Sequence, residues 1–355
     1  IVIVGGGHAG IEAALIAGRY NLSVLLVTMD PAAAGRMSCN PAIGGLAKGQ
    51  IVREIDVLGG VMASLADKAG IQFKTLNKKK GRAVWSPRAQ VDKRAYERLV
   101  LKALNVSSVV LLAGEVVSFT YNKNAVSGVV LRDDSKIKCK SVIVTAGTFL
   151  SGVIHVGERK IYAGRMGEER SEGLTEHLVS EGFLTGRLKT GTPPRLIKNT
   201  IDWSKMDLTL GDDKPVPFSY STGLFNPPNE PCHTVNSNAL SHKVIKDNLE
   251  RSPMFSGDIG GVGPRYCPSV EDKIHRFPDR DSHILFLEPE WKNSDQIYLN
   301  GFSTSLPEDV QLGSLREIPG LKNVEFFRPG YAIEYDFFPP SQLKTTLESK
   351  NISGL

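Results

Sequence analysis

Apolar residues at the start of the chain come in two runs, separated by glycine and a helix-forming stretch. Ile1-Val2-Ile3-Val4 is a short β-branched run that reads as a buried strand. Gly5-Gly6-Gly7-His8-Ala9-Gly10 follows at once, Ile11 to Ala17 is rich in helix formers, and Asn21 to Thr28 supplies a second strand. Further on, Val109 to Leu112 and Val116 to Phe119 predict strands. Gly128 to Arg132 and Lys136 to Cys139 predict a β-meander crossing the sheet, and Ser141 to Thr148 a strand ending in a small-residue turn.

Strand, glycine turn, helix and strand in that order make Gly5, Gly7 and Gly10 a GxGxxG dinucleotide fingerprint rather than an ordinary turn. Gly5 permits the tight turn, Gly7 brings backbone to a pyrophosphate, and Gly10 lets the helix pack on the sheet. Gly6, His8 and Ala9 complete the set. The acidic residue expected about 20 positions on is replaced by Thr28, with Asp30 shortly after. Thr145-Ala146-Gly147 is similar to the second backbone signature of FAD-dependent proteins with two dinucleotide domains, which favours FAD over NAD as the first cofactor. In such flavoproteins the backbone near Val116 touches adenine, although the Val116 side chain equally suits plain core; Ser171 joins the FAD set.

Composition narrows the class without deciding it. A chain of 355 residues, 41% hydrophobic and 23% charged, has room for two or three structural units. No apolar run approaches the roughly 20 residues that span a bilayer, and the opening strand passes into glycines rather than a cleavage site, so neither a membrane span nor a signal peptide is expected. Cys39, Cys139, Cys232 and Cys267 form no CxxC pair, which argues against a zinc site, a disulfide framework and a dithiol oxidoreductase; a reducing cytoplasm fits. The net charge of +5 is too small to identify a nucleic-acid partner. Locally, Lys74, Lys78, Lys79, Lys80, Arg82, Arg88, Lys93, Arg94 and Arg98 form the densest basic stretch, with Trp85 placed for stacking. Composition alone favours a solvated loop and charged helix there over an RNA-facing surface. From about Asn199 to Arg251, Pro- and Asp-rich loops interrupt the βαβ succession and mark an insertion.

Met37-Ser38-Cys39-Asn40-Pro41-Ala42-Ile43-Gly44-Gly45 resembles a signature of the GidA/MnmG family of tRNA uridine 5-carboxymethylaminomethyl modification enzymes. Three later stretches resemble the same family in the same order: Gly186 to Arg195 (GRLKTGTPPR), Gly263 to Lys273 (GPRYCPSVEDK) and Arg328 to Asp336 (RPGYAIEYD). The resemblance implies an α/β, FAD-binding, Rossmann-like (glutathione-reductase-like) fold with inserted α+β structure. Residues 1–198 are expected to be the first part of the FAD-binding domain and 199–280 an inserted substrate and NADH region. Residues 281–355 would return to the first domain, stopping before the final flavin-contacting segment and a helical region for tRNA and GTPase binding. The implied activity uses FAD, NADH and methylene-tetrahydrofolate on the wobble uridine of tRNA, in a cytoplasmic homodimer working with an MnmE-type GTPase; mitochondrial relatives are similar.

By the same resemblance Cys39 and Cys267 are the functional cysteines, and Gly263, Pro264, Arg265, Tyr266 and Lys273 line the NADH site. Uracil C5 is a weak nucleophile, and a thiolate adding to C6 activates it. Cys267, between Arg265 and Lys273, is the expected nucleophile, and Cys39, with no cation beside it in sequence, the assisting residue or acid. Cys139 reads as a small core residue and Cys232 stays unassigned. Lys189, Arg195 and Arg265 are candidates for phosphate or glutamate-tail binding. In this family the basic stretch turns toward RNA, with Lys78, Lys79, Lys80, Arg82 and Arg88 as the contacts. The alternatives are a folate- and FAD-dependent tRNA uridine methyltransferase, which lacks the long insert, and a non-catalytic RNA-binding flavoprotein.

Overall fold

The structure, a computed structural model, describes residues 1–261, 263 and 268–355. Four short apolar runs pair as a parallel sheet in the order Val142–Val144, Val2–Val4, Leu25–Thr28, Val110–Ala113. Side chains alternate across this sheet. Ile3 and Leu26 pack with the helices His8–Arg19 and Lys93–Asn105. Val2, Val4 and Val27 pack on the other side, against the antiparallel meander Val116–Asn122, Ala125–Leu131, Lys136–Lys138. Each helix turns one apolar stripe inward: Ile11, Ala14 and Leu15 on the first, Tyr96, Val100 and Leu104 on the second. Asp92 starts the second by accepting from the Ala95 amide at 2.8 Å. The second strand begins at Leu25 rather than Asn21, because Asn21 takes a positive φ of 56° in the turn that closes the first helix.

A six-stranded antiparallel sheet forms the second layer, in the order Asp207–Thr209, Cys232–Asn236, Ile284–Pro289, Gln296–Asn300, Arg195–Ile197, Phe326–Arg328. Helices Ala239–Lys246, Val270–Arg276 and Glu308–Arg316 cover it through Ile245, Val270, Ile274, Val310 and Leu315. The expected boundary at residue 280 falls inside this sheet. Ile284–Pro289 and Gln296–Asn300 are fully apolar on their inner face and pair with each other and with Cys232–Asn236 and Arg195–Ile197, so the inserted layer runs on to Arg328. A third sheet, in the order Arg159–Ile161, Val153–Val156, Tyr331–Phe337, Gly186–Thr192, links the two units.

The loop between Thr209 and Cys232 is pinned back onto the first unit. Asp67, on the helix Met62–Ala69, accepts from the amides of Phe218 and Ser219 at 2.7 and 3.0 Å and from the Thr222 hydroxyl at 2.6 Å. Gln72 donates to the carbonyls of Thr209 and Glu230. Removing the carboxylate in Asp67→Ala leaves buried donors unmet, at a cost of about 2–4 kcal/mol. Thermal unfolding should therefore show a clear drop in Tm, with faster proteolysis around the released Phe218; an unchanged Tm contradicts this account of the loop.

Candidate active site

The glycine turn opens a cavity of about 480 Å³ lined by Gly5, Gly6, Gly7, His8, Thr28, Asp30, Val116, Thr145, Ala146, Gly147 and Ser171. The glycines have different physical reasons. A Cβ on Gly10 would lie 1.9 Å from the Gly5 carbonyl oxygen, so only glycine lets the helix start this close to the strand. A Cβ on Gly7 would meet nothing within 4 Å, because that face looks into open space. Gly7 is also the N-cap of His8–Arg19 and offers no side-chain acceptor, leaving first-turn amides to an anion in the cavity. Thr145 closes the turn from the neighbouring strand, its hydroxyl donating to the carbonyls of Val4 and Gly5 at 2.9 and 3.0 Å. Thr28 stands where an acidic residue is usual, and a Cβ on Gly6 would come within 2.8 Å of its hydroxyl, so the space is already taken. Asp30 lines the cavity while accepting from the Ala32 amide. Ala9 and Gly10 are not among the lining residues.

Several lining groups have no counterpart in the sequence-based set. Glu168 is shared by Arg36 at 2.9 Å and Arg165 at 3.0 Å, and all three line the cavity. Ser38 lines it as well. The next residue is Cys39, half-buried, whose Sγ lies 3.1 Å from the Tyr298 hydroxyl and 3.5 Å from Thr192 Oγ1. The glycine turn and the Cys39 loop thus border one space.

Cys39 does have cations beside it, contrary to its linear surroundings. Lys93 Nζ donates to the Cys39 carbonyl at 2.8 Å and to Glu290 at 2.6 Å. Arg195, 1% exposed, donates to Glu290, Thr192 and Pro193 and reaches the carbonyls of Ser38 and Cys39. Its bonds are therefore spent on the protein, and the expectation that it binds a ligand tail is replaced by a structural role. Burial pulls the Lys93 ammonium down to about 8, with Glu290 opposing. Arg165 lines the cavity, and its Nε is buried without a hydrogen-bond partner among the described residues, which fits a site built for a polar ligand.

Cys232 is buried, donates to Gln90 Oε1, and is pushed up to about 12 by burial, so it is an inert core thiol. Cys139 is half-buried and also raised by burial. Pro264, Arg265, Tyr266 and Cys267 lie outside the described residues. Of their neighbours, Gly263 sits against Lys189, where a Cβ would lie 3.3 Å from Lys189 Cε, and Lys273 donates to the Gly301 carbonyl at 2.9 Å. The basic stretch divides by burial. Lys79, Lys80 and Arg82 are exposed, with the Arg82 guanidinium 5.6 Å from the centre of the exposed Trp85 ring. Lys78 pairs with Asp212, Arg88 is turned inward onto the buried Glu288 at 2.6 Å, and Lys93 belongs to the Cys39 cluster. Arg88 is thereby removed from a free RNA-facing set.

Parallel sheet, glycine turn, crossover meander and lining together define a dinucleotide-binding α/β protein. The family model for glucose inhibited division protein A matches residues 1–355, and the chain belongs to that family. It is 51% identical over 358 residues to the tRNA uridine 5-carboxymethylaminomethyl modification enzyme MnmG of Chlorobium phaeobacteroides and 52% identical over 356 residues to that of Syntrophotalea carbinolica. All of this chain is covered in both, against 58% of each relative. Crystal structures of Aquifex aeolicus GidA superpose with TM-scores of 0.93 and 0.94 at 47% and 48% identity, covering all of this chain and 58% and 60% of theirs. Among the described residues no helix is long and apolar enough to cross a membrane.

His8 gives the cavity a pH signature. Burial, with Arg165 nearby, pushes its imidazole from an ordinary 6.5 down to about 4. Between those values the unfolded chain binds the proton and the folded chain does not. The contribution therefore stands in full above pH 6.5 and is lost as pH falls toward 4. Over that interval the wild type should lose on the order of 2–3 kcal/mol more stability than His8→Gln, followed by urea unfolding. Equal losses would show that His8 is not held neutral.

Proposed function

We propose that the complete protein modifies the wobble uridine of tRNA, installing an aminomethyl-type (carboxymethylaminomethyl) group at C5. It would use FAD, NADH and methylene-tetrahydrofolate, and act as a cytoplasmic homodimer with an MnmE-type GTPase. The observation that carries this reading is the shared space: Ser38, next to the motif cysteine Cys39, lines the same cavity as the glycine turn. Gly5, Gly6, Gly7, His8, Val116, Thr145, Ala146, Gly147 and Ser171 would hold FAD, with the open face of Gly7 and the first-turn amides toward its diphosphate. Bound FAD supplies the redox chemistry. Gly263, Pro264, Arg265, Tyr266 and Lys273 are assigned to NADH.

The cysteines perform the nucleophilic part. The Cys267 thiolate forms a bond to uracil C6, and the C5–C6 electron pair moves toward O4, leaving C5 nucleophilic. Once C5 carries its new carbon and has lost its proton, the S–C6 bond breaks and the ring is restored. Cys39 assists or acts as the acid. In the complete protein, Cys267→Ser and Cys39→Ser should each keep the flavin absorbance and abolish the modified nucleoside in tRNA digests. Full modification by either removes that cysteine from the mechanism, while 5-methyluridine from the wild type would identify the methyltransferase instead.

The exposed Lys79, Lys80 and Arg82 beside Trp85 supply a surface for the tRNA backbone. Replacing these three by alanine should weaken tRNA binding and lower the slope of log affinity against log salt by about 2. Flavin absorbance should stay as in the wild type. An unchanged slope rules this surface out.

A further inference from the structure

The floor beneath Cys39 contains a hydroxyl that packing alone does not account for. Tyr298 lies mid-sheet in Gln296–Asn300, opposite Arg195 on one side and Glu288 on the other, and is 3% exposed. Its hydroxyl has one hydrogen-bond partner among the described residues, the Cys39 sulfur at 3.1 Å. The ring rests on cations: the Arg195 guanidinium is 4.8 Å from its centre and the Lys93 ammonium 5.8 Å. Thr192 presents a second hydroxyl 3.5 Å from the same sulfur, and its oxygen already accepts from Arg195 Nη1 at 2.5 Å.

We infer that Tyr298 is the positioning residue for Cys39, holding its sulfur by a hydrogen bond donated from a phenol fixed against Arg195 and Lys93. The inference rests on the proposed use of Cys39 in tRNA modification. The donor direction follows from chemistry. A sulfur that has given up its proton can only accept, so the phenol must donate to it. Thr192 Oγ1 stands on the acceptor side of its contact with the sulfur, so the phenol alone supplies the donated bond. Lys93 and Arg195 meanwhile hold the Cys39 carbonyl from below, so backbone and side chain of this one residue are fixed by the same cations. Lys93, Arg195 and Arg328, which faces Arg195 across the sheet, stand against the single carboxylate of Glu290, while Glu288 is engaged by Arg88. Negative charge that develops above this floor during turnover is met by positive charge.

Tyr298→Phe tests the inference without opening a cavity, because the ring, its cation contacts and the sheet pairing remain. In the complete flavin-loaded protein, Tm, flavin absorbance and the KM for tRNA should stay near wild type while kcat for modification falls about tenfold. Alkylation of Cys39 by iodoacetamide at fixed pH, followed residue by residue by mass spectrometry, should slow several-fold. An alkylation rate unchanged or raised overturns the inference, whatever happens to turnover. Slower alkylation in a protein that modifies no tRNA leaves the Tyr298–Cys39 coupling standing and removes the functional reading. An unchanged rate with intact modification does the reverse.

Discussion

The carboxylate of Glu290 is the point on which the two units depend. It is 2% exposed, and burial alone would raise its carboxyl; Lys93 and Arg195 outweigh that effect and hold it below the usual carboxylate range. Lys93 comes from the helix of the parallel-sheet unit and Arg195 from the antiparallel sheet, so one carboxylate is shared by cations of both units. A buried ion cluster of this kind adds little over an apolar seam while complete, yet losing one member leaves an uncompensated charge and is strongly destabilising. The seam around it follows the same line. The Lys93 amide donates to the Glu290 carbonyl, Gln90 to the Pro289 carbonyl, and Arg88 pairs with Glu288. Strand Ser86–Val91 and the end of strand Ile284–Pro289 are thereby locked side by side.

Because Lys93 and Arg195 also hold the Cys39 carbonyl, the cluster that joins the units fixes the cysteine loop as well. Stability and site geometry are coupled here, and a substitution at Glu290 would disturb both. The glycine turn is different in kind. Gly10 is required by contact with Gly5, whereas Gly7 has room around it and is required only if something must approach. That contrast separates the folding role of the fingerprint from its binding role within a single turn.

Local patterns carried most of the fold. The β-branched runs, the glycine spacing and the meander are short-range features, and each strand falls within a few residues of its sequence-based position. The site was legible only where one motif supplies it. The Cys39 segment and the turn were readable, but Lys93 lies some 200 residues before Glu290 and Tyr298 and meets them only where its helix packs against the antiparallel sheet. Reading the basic stretch linearly failed at Arg88 and Lys93 because their side chains turn inward to carboxylates some 200 residues away. The boundary at residue 280 failed because loop composition marks where regular structure pauses, while sheet membership is set by which edge the next strand joins.

One segment connects these observations. The chain leaving Leu25–Thr28 passes Asp30 in the cavity, and at Gly35 its amide donates to the Gly6 carbonyl at 2.8 Å. Gly35 has a φ of 73°, and a Cβ there would press within 2.6 Å of Val100, so only glycine lets the segment lie between the turn and the helix Lys93–Asn105. Four residues later comes Cys39, held by Lys93 from the start of that helix. Turn, helix and sulfur are thus tied within about one dozen residues of backbone, through the Gly35–Gly6 hydrogen bond at one end and the Lys93–Cys39 hydrogen bond at the other. The pocket and its thiol are therefore placed by one structural device rather than two.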